Sequence, residues 1–95
     1  MRPKKLDDAA VGEWLAKHPA WKREGEALRK EFRFPDYRKT IAFVVELALA
    51  AEKKDHHPDL LVGWGKVAVI WSTHDAGGIT DLDLELAALS DELAT

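Results

Sequence analysis

The stretch that decides the fold runs from Glu52 to Asp83 and reads EKKDHHPDLLVGWGKVAVIWSTHDAGGITDLD. Its middle contains two apolar runs, 60–64 and 66–73, which meet near Gly65. Side chains in the second run alternate between two faces, which is the two-residue period of a β-strand. A glycine between two such runs is typical of a turn. The stretch therefore predicts two adjacent strands at its centre.

Three of the four histidines of the chain lie in this stretch. His56 and His57 come before the first strand, and His74 ends the second. A strand end can bring His74 to the rim at which the preceding helix ends. Histidine can donate and accept protons near neutral pH, because its ordinary pKa is about 6.5. Three histidines beside several carboxylates therefore predict a proton-transfer site. Surface histidines in a turn are the structural alternative.

Three helices are predicted outside these strands, over residues 9–17, 36–54 and 81–93. Each carries apolar side chains at helical spacing. Asp7 or Asp8 can cap the first helix. Thr80 caps the last helix, and Asp83 three residues later completes the pattern of a capping box.

Residues 21–34 fit two different structures. Glu24 and Gly25 can form the turn of a hairpin. Leu28 and Phe32 alternate with charged side chains after that turn, as in a half-buried strand. The composition of the segment would suit a helix equally well. The alternation leads us to favour two strands.

The order of elements is then helix, two strands, helix, two strands, helix. This order predicts an α+β fold, with a four-stranded antiparallel sheet and three helices packed on one face. We expect residues 1–95 to form a single domain, in which residues 1–6 are a loose N-terminal tail.

The long helix is apolar on two sides. One stripe contains Ile41, Val44, Val45 and Ala48, and the other contains Phe43, Leu47 and Ala50. A helix that is apolar on most sides is covered by more than one surface. A small domain also buries only about 60–65% of its unfolded surface, so oligomerisation would stabilise it. We expect the sheet to cover one stripe and a neighbouring subunit the other.

Composition excludes several classes of protein. The net charge of −3 gives no electrostatic footprint for nucleic acid. The chain has no cysteine, and therefore no disulfide, thiolate nucleophile or cysteine-ligated zinc. The longest apolar run is too short to span a membrane, and the N-terminal residues lack the apolar core of a signal peptide. We therefore expect a soluble cytoplasmic protein.

Other side chains near the histidines have two interpretations each. Glu52 could orient a histidine ring or bind a ligand, or it could be a solvated helix end. Asp83 could accept a hydrogen bond from His74 as well as cap its helix. Trp64 and Trp71 could wall an aromatic ligand or simply belong to the core.

A metal site is a further alternative for this region. The potential ligands are Asp55, His56, His57, His74 and Asp75. However, adjacent histidine side chains usually point apart, and no His-x-x-x-His pair lies on a helix. Spacing therefore favours proton transfer over metal binding.

The motif Glu52-x-x-x-His56-His57-Pro58, followed by an aromatic residue at Trp64, His74 and Asp83, resembles the pterin-4a-carbinolamine dehydratases. The likeness extends upstream through the long helix and downstream through Ser72-Thr73-His74-Asp75, and covers most of residues 21–93. The resemblance implies an α+β domain that is usually dimeric or tetrameric. It also implies the dehydration of 4a-hydroxytetrahydropterin to quinonoid dihydropterin, with neither a metal nor an organic cofactor.

The resemblance also implies roles for individual residues. His56 and His74 match an acid/base pair, and His57 matches a histidine that holds the substrate. The expected substrate-binding residues are Glu52, Asp55, Ser72, Thr73 and Asp75, and the expected supporting residues are Asp83 and Trp64. The backbone of the Ser72–Asp75 segment is expected to meet the pterin, and Asp83 is expected to support His74.

Two functions of different classes follow. The first is a dehydratase that recycles the tetrahydropterin cofactor of aromatic amino acid hydroxylases. The second is a non-catalytic protein-binding module, because animal members of the family resemble dimerisation partners of a transcription factor and some bacterial relatives act in protein assemblies. The complete set of three histidines favours the enzyme, since a scaffold does not require them.

Overall fold

A computed structural model describes residues 3–95, and it confirms the predicted fold class and order of elements. The elements are α1 (Asp8–Lys17), β1 (Lys22–Glu24), β2 (Ala27–Arg33), α2 (Tyr37–Lys53), β3 (Asp59–Gly63), β4 (Lys66–Trp71) and α3 (Asp81–Leu93). A short 3₁₀ helix, His74–Ala76, lies between β4 and α3.

The four strands form one antiparallel sheet with the spatial order β1-β2-β4-β3. The ambiguous segment is therefore a hairpin, and Gly25 in its turn has a φ of 59°, which glycine adopts without strain. β2 and β4 are the central strands, and Leu28 lies opposite Trp71 in their register. Strand β4 ends at Trp71, two residues before the predicted end, and Thr73 instead forms an isolated bridge with Gly78.

Side-chain caps begin all three helices, and those of α1 and α3 are the ones that the sequence predicts. Asp7, rather than Asp8, accepts a hydrogen bond from Ala10 at 2.8 Å and caps α1. Asp36 caps α2 in the same way. Thr80 and Asp83 form the predicted capping box at the start of α3. These caps satisfy backbone N–H groups that would otherwise lack partners.

The hydrophobic core lies between the sheet and α2 and α3. Phe43 and Leu47 are the buried side chains with which α2 meets the sheet, so one predicted stripe faces the core. The other side of α2 leaves Val45 50% and Leu49 63% exposed within this single chain. The helix is thus apolar on two sides, of which the core covers one.

The predicted loose tail differs from the structure. The backbone N–H of Leu6 donates to the carbonyl of Ile79 at 2.8 Å, and the Leu6 side chain packs against the core. The Lys5 ammonium pairs with Glu26. The prediction was wrong for Lys5 and Leu6, because the charged residues around Leu6 gave no indication that its side chain packs against the core. Residues 1 and 2 of the predicted tail lie outside the described residues.

Candidate active site

The C-terminus of α2 places the histidine pair at the edge of the sheet. Asp55 follows the helix with a φ of 50°, in the left-handed region. The N–H of Asp55 donates to the carbonyl of Glu52, and that of His56 donates to the carbonyl of Ala51. This is the hydrogen-bond pattern of a Schellman motif, which ends a helix and turns the chain sharply. His56 is therefore fixed by backbone geometry as well as by its side chain.

The two histidines of the pair have different environments. The Nε2 atom of His57 lies 2.7 Å from a Glu52 carboxylate oxygen, and the two side chains are 60% and 73% exposed. Solvent weakens an ion pair of this kind. The side chain of His56 is only 12% exposed, and its ring stacks on the Trp71 indole with centroids 5.7 Å apart. His56 is thus held rigidly, whereas His57 remains open to the solvent.

Asp83 is the partner of His56, not of His74. One carboxylate oxygen of Asp83, Oδ1, lies 2.7 Å from Nε2 of His56. The Asp83 side chain is fully buried. The expected support of His74 by Asp83 is therefore wrong, because the two carboxylate oxygens of Asp83 bind His56, Thr73 and Thr80 instead.

The second oxygen of Asp83 accepts hydrogen bonds from two threonines. Oδ2 accepts a hydrogen bond from the Thr73 hydroxyl at 2.7 Å and one from the Thr80 backbone N–H at 2.9 Å. The two threonine hydroxyls lie 2.9 Å apart. A buried carboxylate requires such partners, because an isolated charge in the interior is costly. The capping box was predicted, but its connection to His56 was not.

Strand β4 leads into the third histidine. His74 is exposed and begins the 3₁₀ helix directly after the Thr73–Gly78 bridge. It lines a cavity of about 240 Å³ together with both members of the pair. The residues that line this cavity are Asp55, His56, His57, Ser72, Thr73, His74 and Asp75. The structure thus brings together the three predicted histidines and four of the five predicted substrate-binding residues. Glu52, the fifth, does not line the cavity, but its carboxylate contacts His57, which does.

Two of these residues use their polar groups within the fold. The Ser72 hydroxyl donates to the carbonyl of Glu26 at 2.7 Å. The Thr73 backbone N–H donates to Gly78 at 2.9 Å, and the Thr73 hydroxyl donates to Asp83. Both hydrogen-bond donors of Thr73 are therefore used within the fold, and Thr73 is a structural part of the cavity wall.

Trp64 lies away from the cavity of its own chain. It occupies the turn between β3 and β4 and is 71% exposed. Strand β4 runs from Lys66, beside that turn, to Trp71, beside the cavity, which is a distance of about 17 Å at ordinary strand rise. Trp71 is fully buried and supports the His56 ring from the core. The expected support of the site by Trp64 is not seen within one chain.

Residues 3–95 contain neither a cluster of metal ligands nor a membrane-spanning helix. No group of three or more histidine, aspartate or glutamate side chains in that range is arranged to hold a metal ion. None of the helices described for the same range has the length and apolar character needed to cross a membrane.

Known proteins have sequences similar to this chain over most of its length. Residues 4–93 match the family described as pterin 4 alpha carbinolamine dehydratase. A protein of Roseiflexus castenholzii (strain DSM 13941 / HLO8), provisionally named as such a dehydratase, is 47% identical over 93% of this chain and 95% of its own length. One of Rhizobium meliloti (strain 1021), with the same provisional name, is 45% identical over 99% of this chain and 92% of its own.

Two solved structures are also similar. A transcriptional coactivator/pterin dehydratase from Brucella melitensis has a TM-score of 0.92 and 31% identity, over 97% of this chain and 100% of the other. A pterin dehydratase-like protein that is a RuBisCO assembly factor in the alpha-carboxysome has a TM-score of 0.65 and 28% identity, over 78% of this chain and 86% of the other. The matched family model and the relatives over nearly the full chain show that this chain belongs to the pterin 4 alpha carbinolamine dehydratase family.

Proposed function

We propose that this protein is a 4a-hydroxytetrahydropterin dehydratase. The observation that carries the proposal is the convergence of His56, His57 and His74 on one small cavity. The reaction breaks the C4a–O bond, and the leaving oxygen takes a proton to form water. The N5–H bond breaks as well, and its electron pair forms the C4a=N5 double bond. The reaction therefore needs one acid and one base, which histidines can supply near neutral pH.

His56 and His74 are the proposed acid/base pair. They line the same cavity from two different elements, His56 from the end of α2 and His74 from the segment after β4. A positioned acid or base accelerates a reaction by about 10²–10⁴-fold. His57, with Glu52 on its Nε2, is proposed to hold the substrate. Asp55 and Asp75 also line the cavity, and the polar edge of a pterin is proposed to lie near them.

A homodimer or homotetramer is proposed for the assembly. Exposed large apolar side chains lie on α2 and around the β3 hairpin, and they are Tyr37, Val45, Leu49, Leu61, Val62 and Trp64. Contiguous exposed apolar surface is typical of a protein–protein interface, and we propose that these side chains contribute to one. We also propose a cytoplasmic location and a role in recycling the cofactor of aromatic amino acid hydroxylases, as the family resemblance implies.

A protein-binding module is the second candidate. It is favoured by the same exposed apolar surface and by the two solved relatives, one named as a coactivator and one as an assembly factor. This function would depend on the apolar surface and not on the histidines. The enzyme therefore predicts that a histidine variant loses its function, whereas the binding module predicts that the variant keeps it.

The test is the decay of 4a-hydroxytetrahydropterin, followed by stopped-flow ultraviolet absorbance. Wild type should accelerate the decay, and His74→Gln should lose most of that acceleration, about 10²–10⁴-fold. His18→Gln is the matched control, because His18 binds the Trp14 carbonyl at the end of α1 and does not line the cavity. No acceleration by folded wild type would refute the enzyme and leave the binding module.

A further inference from the structure

We propose that Asp83 fixes the tautomer of His56, so that Nε2 carries the proton and Nδ1 is the nitrogen that meets a ligand. Asp83 and Thr73 are then positioning residues that act through His56. The catalytic consequence rests on the proposed dehydratase function, but the tautomer itself does not.

Oxygen Oδ2 of Asp83 is surrounded by donors from Thr73 and Thr80, including the Thr80 hydroxyl at 3.4 Å. The Thr80 backbone N–H can only donate, and it lies 2.9 Å from Oδ2. The Thr73 hydroxyl lies 2.7 Å from the same oxygen, and a carboxylate can only accept from it. Oxygen Oδ1 is left for His56, at 2.7 Å from Nε2.

The hydroxyl protons can be assigned in the same way. Thr73 uses its single proton toward Asp83, so its oxygen can only accept across the 2.9 Å contact with the Thr80 hydroxyl, which also lies 3.4 Å from Oδ2. The Thr73 oxygen is then an acceptor from every other direction. It lies 3.5 Å from Nε2 of His56. Nε2 consequently faces a carboxylate oxygen that can only accept and a hydroxyl oxygen whose proton is used elsewhere, and a protonated Nε2 is the form that can donate to them.

When Nε2 carries the proton of the neutral ring, Nδ1 is unprotonated and is the nitrogen that meets a ligand in the cavity. In a neutral ring one nitrogen donates and the other accepts, so Nδ1 can take a proton from a bound substrate. The imidazolium that forms stays paired with the buried Asp83 carboxylate. Thr73, expected from the family resemblance to bind substrate, instead orients that carboxylate.

Asp83→Asn is the variant that tests this assignment. Two donors still surround the Oδ2 position, so the amide carbonyl oxygen should occupy it. The amide NH₂ then occupies the Oδ1 position and donates to Nε2 of His56. The ring must in response move its proton to Nδ1. The variant should therefore invert the tautomer of His56 while retaining the hydrogen bonds that cap α3.

Long-range ¹H–¹⁵N correlation of the histidine rings reads the tautomer directly. The spectra should be recorded at about pH 9, well above the ordinary histidine pKa of about 6.5. We expect the Nε2–H form in wild type and the Nδ1–H form in Asp83→Asn. Asp81→Asn is the matched control, since Asp81 is exposed in the same helical turn and the change removes the same charge. The control should keep the Nε2–H form.

Kinetics provide the second readout. Dehydration by Asp83→Asn should fall by about 10²-fold or more, whereas Asp81→Asn should retain wild-type rates. Thr73→Ser should retain the Nε2–H form and most of the rate, because it keeps the hydroxyl donor, and Thr73→Val should lower the rate.

The outcomes separate this proposal from the proposed function. An Nδ1–H form in wild type would overturn the proposal, as would an unchanged tautomer in folded Asp83→Asn. If Asp83→Asn fails to fold, the tautomer of His56 in wild type and the comparison of Thr73→Ser with Thr73→Val test the proposal instead. A tautomer that inverts in a protein without dehydratase activity would support this assignment and refute only the proposed function.

Discussion

Replacing Ser90 by alanine should destabilise the protein through one buried hydrogen bond. The indole N–H of Trp71 donates to the Ser90 hydroxyl at 3.0 Å, and both side chains are fully buried. Leaving that N–H without an acceptor should cost about 1–3 kcal/mol. Alanine is the better helix former by about 0.5 kcal/mol, which offsets part of the loss. We therefore expect Ser90→Ala to lower the free energy of unfolding by about 1–2 kcal/mol.

A double-mutant cycle isolates this hydrogen bond. Trp71→Phe removes the donor, so Ser90→Ala should be nearly neutral or slightly stabilising in that background. The coupling energy between the two changes should be about 1 kcal/mol or more. Urea unfolding followed by circular dichroism gives the four free energies, and all four proteins must be compared at one concentration because oligomerisation shifts apparent stability.

Additive effects of Ser90→Ala and Trp71→Phe would refute the reasoning. They would mean that the indole N–H finds another partner or that the hydroxyl is dispensable. This hydrogen bond also concerns the candidate site. Ser90 holds the Trp71 indole, and the His56 ring stacks on that indole. Ser90→Ala should nevertheless leave dehydratase activity within a few fold of wild type, since Ser90 does not line the cavity.

Three further predictions concern the helix end, the apolar surface and the pH dependence of stability. Asp55→Gly should raise the free energy of unfolding by about 0.5 kcal/mol in urea unfolding, because it relieves a left-handed backbone. Leu49→Lys should lower the mass measured by light scattering while the circular dichroism spectrum stays unchanged, because Leu49 is 63% exposed on α2. The pKa of Glu26 is held below its ordinary value by hydrogen bonds from Lys5 and Arg23, so its stabilising contribution is present above about pH 4.3 and is lost as the pH falls through the lowered pKa. The stability difference between wild type and Glu26→Gln should therefore shrink between about pH 5 and pH 3.

The fold could be predicted because its signals are local. The alternation around Leu28 and Phe32 identified β2, and the capping pattern of Thr80 and Asp83 identified the start of α3. Each signal involves residues only a few positions apart, so it can be recognised in the sequence without knowledge of the tertiary structure. The tail was missed because its contact, between Leu6 and Ile79, joins segments far apart in the chain.

The residues of the site could be predicted, but their pairing could not. The doubled histidine and the later His74 indicated one site by type and spacing, and the structure brings them together. The partner of Asp83 depends on which way the first turn of α3 faces, and spacing contains no information on this. Trp64 was assigned to the site by resemblance, yet the full length of β4 separates it from the cavity of its own chain.

The central claim is that the histidine cavity catalyses dehydration of a 4a-hydroxytetrahydropterin. The most direct measurement is the stopped-flow rate of decay at increasing concentrations of wild-type protein and of His74→Gln. The account predicts that the rate rises in proportion to wild-type concentration and stays near the spontaneous rate with the variant. A rate that is independent of wild-type concentration, or equal for both proteins, would contradict it.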